Sequence, residues 1–437
     1  MRIKNTLNKY LNKLDIHTLE VVKKSSASTV VKVAGMAIGL GVSIFLGRTI
    51  GADGLGIINL SNRIVNIILV IGLLGMRQVI VKEVAIAHGK ADNEHIGNVM
   101  HTAYLLNGIT TVVLSVILIL LTPWLANTVF KEPRLTYPLM IALVVMTPQV
   151  FSRIFSSGLI GYRKIWQSNL VEQTLSIGAT GLLLGLLWLL KKDITINIVA
   201  IGYAMGRIAV TISVGIYWNS ISKQKKKGNL ILKQILGTSI PLFIVSISEM
   251  IFKNMDVLLL GTFCDSRKVG LYSVAARLAL LTSFFLFVSN SVLSPKIASL
   301  YNERKFKELE KMIKHTNKGL LLLAIFIILF FIIFGKWLLS LWGNEFIEGY
   351  FVLIVLGVGQ FVNLATGSVG IILIMTGHEK IQRNISIVFM LIFVFLNYLL
   401  IKTYGITGAA IATSFVIIGM NITKYIYVKR TVKIKIY

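Results

Sequence analysis

Residues 57–79 read IINLSNRIVNIILVIGLLGMRQV, an apolar stretch that three asparagines and an arginine interrupt near its start. About 20 apolar residues are enough for a helix to cross the hydrocarbon core of a membrane. Asn59, Asn62, Arg63 and Asn66 are spaced so that they share one helix face for almost two turns. Polar and charged groups are costly in contact with lipid. The stretch therefore predicts a membrane helix whose polar face lies against other helices or a water-filled cavity.

The composition of the whole chain points the same way. Of its 437 residues, 55% are hydrophobic and only 14% are charged, whereas about 25% are charged in an ordinary soluble domain. The mean hydropathy is +0.78, and the single cysteine, Cys264, has no partner within the chain. These values exclude a water-soluble globule, a disordered chain and a disulfide scaffold. They indicate a polytopic membrane protein.

Similar apolar stretches, separated by short polar loops, recur along the sequence. Together they predict an all-α membrane protein of twelve transmembrane helices, with both termini on one side because twelve is an even number. The predicted spans are 30–50, 57–79, 102–124, 137–158, 166–190, 195–218, 236–262, 270–293, 318–341, 350–375, 384–401 and 405–427.

The basic residues favour the side that holds the termini. The net charge is +27, and lysine and arginine concentrate before Val30, at 223–233, at 296–318 and from Lys424 onward. By the positive-inside rule both termini are predicted to be cytoplasmic. The basic excess is thus interpreted as a topology signal and an attraction to anionic lipids, not as a nucleic-acid interface.

An internal repeat divides the chain into halves. A shift of 214 residues aligns Gly56 with Gly270 and Arg63 with Arg277, and Lys82, Glu94 and His101-Thr102 also meet identical residues. Each half carries six spans, so both copies enter the membrane from the same side. The repeat predicts two parallel six-helix bundles with pseudo-twofold symmetry, an architecture typical of transporters that hold substrate between their halves.

The repeat and the charge runs together set the predicted domains. A cytoplasmic amphipathic N-terminal segment precedes the first bundle, a basic cytoplasmic linker joins the bundles, and a basic cytoplasmic tail ends the chain. The segment 296–318 is interpreted as a further cytoplasmic amphipathic helix. The domain boundaries are 1–28, 29–222, 223–233, 234–428 and 429–437.

Charged residues within the spans are the candidates for function. Arg63 and Arg277 lie at equal depth in the two halves, and Arg207 and Lys253 bring the deep bases to four, against two deep acids. This surplus predicts a cavity that attracts an anion, and the planar guanidinium fork suits phosphate. The alternative is that each arginine pairs with backbone carbonyls or with the deep acids.

The deep acids lie on the seventh span. Glu249, Lys253 and Asp256 are four and three residues apart, which places them on one face and allows them to pair. They form either a structural salt bridge or a carboxylate that exchanges a proton or Na⁺. Lys32 and Glu172 lie near cytoplasmic span ends, where charged side chains can reach water. The candidate substrate-binding residues are Arg63, Arg277, Arg207, Lys253, Lys32, Asn59, Asn62 and Asn66, and the candidate ion-coupling residues are Glu249, Asp256 and Glu172.

Enzymatic signatures are missing from the sequence. It contains no Gly-rich lysine loop for ATP, its six histidines lack the spacing of metal ligands, and no nucleophile with a base and an orienting acid lies at membrane depth. We therefore expect neither a catalytic residue nor a metal nor a cofactor. Coupling to a gradient of H⁺ or Na⁺ is the expected source of energy.

Two glycine-rich motifs resemble a known family. They are LGRTIGADGLG at 46–56, followed by GLLG at 72–75 and Arg77, and YGITGAAIAT at 404–413, preceded by Asn397. In this arrangement the chain is similar to the Wzx-like O-antigen and capsular polysaccharide-unit flippases. They belong to the polysaccharide transporter family of the multidrug/oligosaccharidyl-lipid/polysaccharide exporter superfamily.

The resemblance implies a flippase that moves undecaprenyl-pyrophosphate-linked oligosaccharide across the bacterial inner membrane by alternating access. It places Arg63 and Arg277 at positions that match cavity-facing arginines of the family. The expected partners are this lipid-linked oligosaccharide, membrane lipids, a glycan polymerase and a chain-length regulator, with no nucleic acid.

Three alternatives remain. A cation-coupled multidrug antiporter would be expected to line its cavity with acids, whereas the first span carries Lys32 and no acid. A lipid II flippase usually has fourteen spans. A membrane scaffold without transport activity would not need symmetric buried arginines.

Overall fold

The computed structural model describes residues 16–222 and 229–432, and every regular element within these ranges is a helix. The predictions for residues 1–15, 223–228 and 433–437 fall outside the described residues. Short 3₁₀ or π-helical turns lie at Leu125–Val129, Pro133–Leu135, Leu170–Leu175, Asn344–Gly349 and Val428–Val432. The α-helices are α1 (Ile16–Leu73), α2 (Met76–Gly89), α3 (Asn93–Trp124), α4 (Thr136–Val144), α5 (Met146–Gly161), α6 (Ile165–Asn169), α7 (Ser176–Leu189), α8 (Ile196–Ile221), α9 (Leu232–Phe263), α10 (Ser266–Leu280), α11 (Ser283–Asn302), α12 (Phe306–Ser340), α13 (Tyr350–Ala365), α14 (Val369–Met375) and α15 (Glu379–Tyr427).

The two longest helices each contain a sharp turn at a glycine. Helix α1 has 58 residues, which would make a straight rod of about 87 Å, far longer than the hydrocarbon core. It turns at Gly51, where φ is 68°, and α15 turns at Gly405, where φ is 56°. Positive φ values favour glycine because it has no Cβ. The loops predicted at 51–56 and 402–404 are therefore wrong: single hinge residues separate helices that continue on both sides.

The hinges reconcile the observed helices with the predicted spans. In the described residues, eight helices are long and apolar enough to cross a membrane, or ten when two bent pairs each count as one span. The bent pairs are Pro133–Val144 with Met146–Gly161, at 43°, and Ile165–Glu172 with Ser176–Leu189, at 42°. Since Gly51 and Gly405 divide two of the ten segments, the total is twelve. The predicted all-α fold is confirmed.

The segment 296–318 differs from its prediction as one amphipathic helix. Helix α11 ends at Asn302, Arg304 adopts a left-handed conformation with φ of 57°, and α12 begins at Phe306. The apolar side chains of Ile297, Leu309 and Ile313 are buried in one cluster. The segment is thus a helix–turn–helix corner that packs into the bundle, because its apolar residues cover the ends of neighbouring helices.

The helices form two lobes, an N-terminal lobe of residues 16–222 and a C-terminal lobe of residues 229–432. Helices run between two ends of the bundle. The end with the turns at Gly51 and Gly405 is here named the hinge side, and the end with the turns at Arg163 and Arg304 and the connection between lobes is named the linker side.

The lobes pack closely on the hinge side. Leu46 and Leu55 of the N-terminal lobe share a buried cluster with Tyr272 and Phe346 of the C-terminal lobe. A Cβ at Gly56 would overlap the carbonyl oxygen of Ser266, and a Cβ at the repeat-related Gly270 would overlap that of Ala52. Both positions need glycine because the two backbones cross without room for a side chain.

Candidate functional site between the lobes

Arg63 and Arg277 each hold a backbone carbonyl of the opposite lobe. Nη1 of Arg63 donates to the carbonyl oxygen of Lys253 at 2.7 Å, and Nη1 of Arg277 donates to that of Gly39 at 3.2 Å. The two acceptors are 214 residues apart, as are the two arginines. The hydrogen bonds are therefore exchanged across the pseudo-twofold axis. Of the alternatives left open by the sequence, pairing with backbone carbonyls is the one observed for both arginines.

The same two arginines line a cavity at the centre of the interface. Its volume is about 220 Å³, and Asn59 and Ser273 contribute to its wall with them. Arg63 also lines a cavity of about 320 Å³ toward the linker side, together with Asn66. Nη1 of Arg63 also donates to Oδ1 of Asn254 at 3.2 Å. A guanidinium carries five N–H donors, so each arginine keeps further donors whose hydrogen bonds an anion can accept.

The three charged residues of the seventh span separate. Nζ of Lys253 lies 3.6 Å from Oε2 of Glu249, and both side chains are largely exposed to the larger cavity. Asp256 does not join this pair. Its carboxylate accepts a hydrogen bond from the buried Tyr272 hydroxyl at 2.9 Å, and Oγ1 of Thr413 lies 3.3 Å from the same hydroxyl. The predicted pairing therefore holds for Glu249 and Lys253 and is wrong for Asp256.

Arg207 and Lys32 lie away from the central cavity. Nη2 of Arg207 donates to Oδ1 of Asn62 at 2.6 Å within the N-terminal lobe, so Asn62 leaves the polar face shared by Asn59, Arg63 and Asn66. Nζ of Lys32 lies 3.9 Å from the ring centre of Phe287, a cation–π contact between the lobes. The eight candidate substrate-binding residues, five basic residues and three asparagines, are thus divided among several places.

An ion cluster around a buried glutamate on the linker side contains two arginines that the sequence-based site omitted. The Glu172 side chain is only 6% exposed, and its Oε2 lies 2.9 Å from Nη2 of Arg77 and 3.1 Å from Nη1 of Arg153. Glu172 was expected to reach water, yet the π-helical turn Leu170–Leu175 holds it inside the lobe. Arg153 lies within the predicted span 137–158. A charged residue at that depth in the membrane could have marked it as a candidate site residue.

Charged residues on the hinge side form a seal. Arg134 pairs with Asp53 and, at 2.8 Å, with Glu132, while the Ser266 hydroxyl of the other lobe contacts Asp53 and lies 2.8 Å from Glu132. Partial burial acts to raise the pKa of the Glu132 carboxyl group, which lies between two membrane-spanning helices. The hydrogen bonds from Arg134 and Ser266 outweigh it and hold the pKa of Glu132 below the ordinary range.

The C-terminal lobe carries a charge-reversed counterpart. Arg267 pairs with Glu348 at 2.7 Å, and these residues stand 214 positions after Asp53 and Arg134 respectively. The repeat therefore places an acid–base pair in each lobe with the signs exchanged.

Three further hydrogen bonds cross between the lobes on this side. The Ala52 N–H donates to Oε1 of Glu345 at 2.8 Å, and Nε of Arg48 donates to the carbonyl of Leu341 at 2.8 Å. Nε1 of Trp342 donates to the Ser43 hydroxyl at 2.9 Å. The hinge side is thus closed by satisfied polar contacts.

Solved transporters share this fold. An inward-facing multidrug resistance MATE family transporter of the MOP superfamily aligns over 94% of this chain and 98% of its own, with a TM-score of 0.76 and 14% identity. An outward-facing structure described in the same words gives 0.60 at 14% identity, over 95% of this chain and 96% of its own. The lipid II flippase MurJ in an inward closed conformation gives 0.72 at 16% identity, over 93% of this chain and 87% of its own. At these identities the likeness establishes the two-lobed twelve-helix fold alone.

Two curated relatives are named for polysaccharide or glycan biosynthesis. The "Capsular polysaccharide biosynthesis protein CapF" of Staphylococcus aureus is 26% identical over 219 residues, 49% of this chain and 52% of the relative. The "Probable low-salt glycan biosynthesis flippase Agl15" of Haloferax volcanii is 25% identical over 170 residues, 39% of this chain and 36% of the relative. The matches thus span about half of one relative and about a third of the other.

Two family models match the sequence. The MatE model matches residues 241–399. The model described as polysaccharide biosynthesis protein matches residues 21–301, well over half of the chain, and the chain therefore belongs to that family.

Proposed function

We propose that this protein is a flippase for oligosaccharide units linked to undecaprenyl pyrophosphate, which it carries from the cytoplasmic to the outer leaflet of the inner membrane. The observation that carries the proposal is the central cavity lined by Arg63 and Arg277, one from each lobe. The names of the curated relatives support a glycan-related cargo. The proposal is one of transport, not of catalysis.

The charge of the cargo explains the arginines. Pyrophosphate is the part of such a lipid that lipid tails cannot accommodate, since an unpaired charge in a low-dielectric medium is very costly. Charged acceptors form stronger hydrogen bonds with guanidinium than neutral carbonyls do. An arriving pyrophosphate therefore takes Arg63 and Arg277 from the carbonyls of Lys253 and Gly39. Two hydrogen bonds between the lobes are thus broken as the cargo binds.

The present arrangement corresponds to the state that loads cargo. The linker side is the cytoplasmic side by the positive-inside rule, and the cavities open from the centre toward it, while the hinge side is sealed. Alternating access then requires the seal to open as the cavity closes.

Asp256 is the proposed coupling residue. Its carboxylate, the Tyr272 hydroxyl and the Thr413 hydroxyl bring three oxygen atoms together inside the C-terminal lobe. Such a group can take up a proton or a Na⁺ ion, and oxygen ligands suit a hard cation. Glu249 is more exposed and already faces Lys253, so it is the weaker candidate.

The two alternatives within the superfamily predict different cargo. A multidrug antiporter exports cations, which the two arginines and Lys253 would repel. A lipid II flippase would also carry a pyrophosphate, but its loss would block peptidoglycan synthesis. The phenotype of a strain that lacks the protein therefore distinguishes both alternatives from the proposed function.

The test is complementation of a deletion strain. Wild type, Arg63→Gln, Arg277→Gln and the control Arg383→Gln, whose side chain is exposed and outside the cavities, are compared at equal membrane abundance. We expect both cavity variants to lose surface glycan and to accumulate cytoplasm-facing lipid-linked oligosaccharide, with the control unaffected. Normal glycan with sensitivity to cationic dyes would support the antiporter, and a block in peptidoglycan synthesis would support lipid II.

A further inference from the structure

Arg77, Arg153 and Glu172 form a cluster that the central pair of arginines does not explain. One oxygen of Glu172 meets both guanidiniums, at 2.9 and 3.1 Å, and the other accepts a hydrogen bond from the Ser156 hydroxyl at 2.9 Å. The carboxylate is thus held from three directions. Because it is buried, the acid fixes the orientation of both arginines.

The arginines face the cavity, and the acid stands behind them. Arg77 and Arg153 line the larger cavity, of about 320 Å³, with Arg63 and Lys253. Glu172 is absent from that wall and lines a separate pocket of about 40 Å³. Its bonds use only part of the five N–H donors on each guanidinium. The remaining donors are available to a ligand in this cavity, whose wall also carries Arg63, Lys253 and the acid Glu249.

The charge of the cluster is incomplete without an anion. Two guanidiniums share a single carboxylate, which leaves a net charge of +1 beside the cavity. Like charges held close together in a partly buried place repel each other strongly. A phosphate oxygen in the cavity would lie opposite Glu172 and supply the second negative charge. Guanidinium pairs are suited to phosphate because each can form two parallel hydrogen bonds.

The cluster belongs to one lobe only. The repeat offsets of 214 to 216 residues carry Arg77 to 291–293, Arg153 to 367–369 and Glu172 to 386–388, and none of these positions is charged. An ion pair needed to build a six-helix bundle would be expected in both lobes. The asymmetry separates this cluster from the symmetric Arg63 and Arg277 and favours a role toward a ligand.

We propose that Arg77 and Arg153 form a second anion site, which receives the diphosphate of a polyprenyl-linked cargo on the linker side before Arg63 and Arg277. Glu172 is the fixed counter-ion that keeps the two guanidiniums side by side. The cargo would move along one continuous wall, from Arg77 and Arg153 to Arg63 and then to Arg277. This inference rests on the proposed function.

The test is binding of farnesyl diphosphate to the purified full-length protein by calorimetry. Inorganic pyrophosphate and vesicles of phosphatidylglycerol are the parallel probes, which separate a prenyl diphosphate from a free anion and from a lipid headgroup. The variants are Arg77→Gln, Arg77→Lys, the double variant Arg63→Gln/Arg277→Gln, and the triple variant that adds Arg77→Gln. Arg163→Gln, at an exposed linker-side position outside the cavity, is the control.

We expect the double variant to retain weaker binding and the triple variant to lose it. Arg77→Gln alone should weaken binding about tenfold or more, as for a lost charged hydrogen bond. Arg77→Lys keeps the positive charge beside Glu172 but loses the planar guanidinium group. It should therefore also bind farnesyl diphosphate more weakly, while its unfolding temperature stays that of the wild type. A purely structural role would instead lower the unfolding temperature and leave affinity unchanged.

Failure of this inference differs from failure of the proposed function. If the double variant already abolishes binding and Arg77→Gln binds as the wild type does, the second site is wrong and the flippase proposal stands. If the wild type binds no diphosphate at all, both fail. Equal binding of phosphatidylglycerol vesicles and farnesyl diphosphate, both lost in Arg77→Gln, would overturn the assignment to cargo and indicate a lipid headgroup site.

Discussion

The two ends of the lobe interface carry similar residues in opposite arrangements. On the hinge side, Arg134 and Arg267 have carboxylate partners, and the backbones cross at Gly56 and Gly270. Toward the linker side, the arginines outnumber the acids, and the backbones stand apart around cavities of about 220 and 320 Å³. Pairing, not the number of charges, therefore distinguishes the seal from the proposed binding site.

The pseudo-symmetry is preserved at both ends but used differently. At the seal, the repeat exchanges the signs of an acid and a base, so each lobe neutralises its own charges. In the cavity the repeat places an arginine of the same charge in each lobe, Arg63 and Arg277, so the two positive charges add. In the proposed function, the summed positive charge attracts an anion from the linker side, as expected for a cavity lined by one sign.

The largest effect is expected at the glycine crossing. Gly270→Val inserts side-chain atoms where a Cβ already overlaps the Ala52 carbonyl, and such overpacking costs about 1 to 3 kcal/mol or more. The hinge side should stand open and export should fail. Spin labels at Asp193→Cys and Asn344→Cys, in a Cys264→Ser background, should show a longer inter-lobe distance.

A glycine without close neighbours provides the control. Gly185 has nothing within 4 Å of its would-be Cβ, so Gly185→Ala should leave the distance and export unchanged. It should slightly stabilise the helix, because glycine costs about 1 kcal/mol against alanine there. An unchanged distance in Gly270→Val would contradict the role given to the crossing.

A smaller effect is expected from the charge pairs of the seal. Asp53→Asn weakens the hydrogen bond that the Asp53 carboxylate accepts from Ser266 of the other lobe, and it should weaken closure by about 1 kcal/mol or less, since Asp53 is partly exposed. The double variant Asp53→Arg/Arg134→Asp restores opposite charges and should recover part of the closure. The same spin-label distance measures both. If the double variant is more open than Asp53→Asn, the pair does not act through charge.

The seal should also respond to acid. Glu132 accepts a hydrogen bond from Ser266 of the other lobe and has a pKa below the ordinary range in the folded protein. The stability that its carboxylate contributes is therefore complete above the unfolded pKa and is lost as pH falls through the lowered one. We expect closure to be constant near pH 7 and to weaken below about pH 4. A spin-label titration that shows opening between pH 6 and 8 would point to other groups.

The smallest effect is expected at the exposed pair in the cavity. Glu249 and Lys253 are 3.6 Å apart with side chains about two-thirds exposed, and exposed pairs contribute about 0 to 1 kcal/mol. Glu249→Gln should therefore change neither the unfolding temperature nor the seal by a measurable amount. A large loss of stability would mean that the pair is structural after all.

The helices and the depth of the arginines could be predicted, and their partners could not. Apolar length and the 214-residue repeat suffice to place Arg63 and Arg277 at matching depth. Their acceptors, the carbonyls of Lys253 and Gly39, depend on how closely the lobes approach. Asp256 was grouped with Glu249 because helical spacing places them on a shared face. In the structure, however, Tyr272 of another helix donates a hydrogen bond to the Asp256 carboxylate.

The Glu172 cluster shows why some of the site escaped prediction. Glu172 and Arg77 are 95 residues apart in sequence, and the π-helical turn that directs the carboxylate inward leaves no sign in the apolar pattern. Arg77 was noted only within a family motif, and Arg153 was not singled out at all. Burial and distance, which the sequence does not contain, bring the three together.

The most direct measurement is transfer of a fluorescent polyprenyl-diphosphate oligosaccharide between the leaflets of proteoliposomes, followed by chemical quenching from outside. We expect wild type and Arg383→Gln to make the initially protected half of the probe accessible to quencher, and Arg63→Gln/Arg277→Gln to leave it protected. Equal transfer by the double variant and the wild type would contradict a route through the arginine-lined cavity.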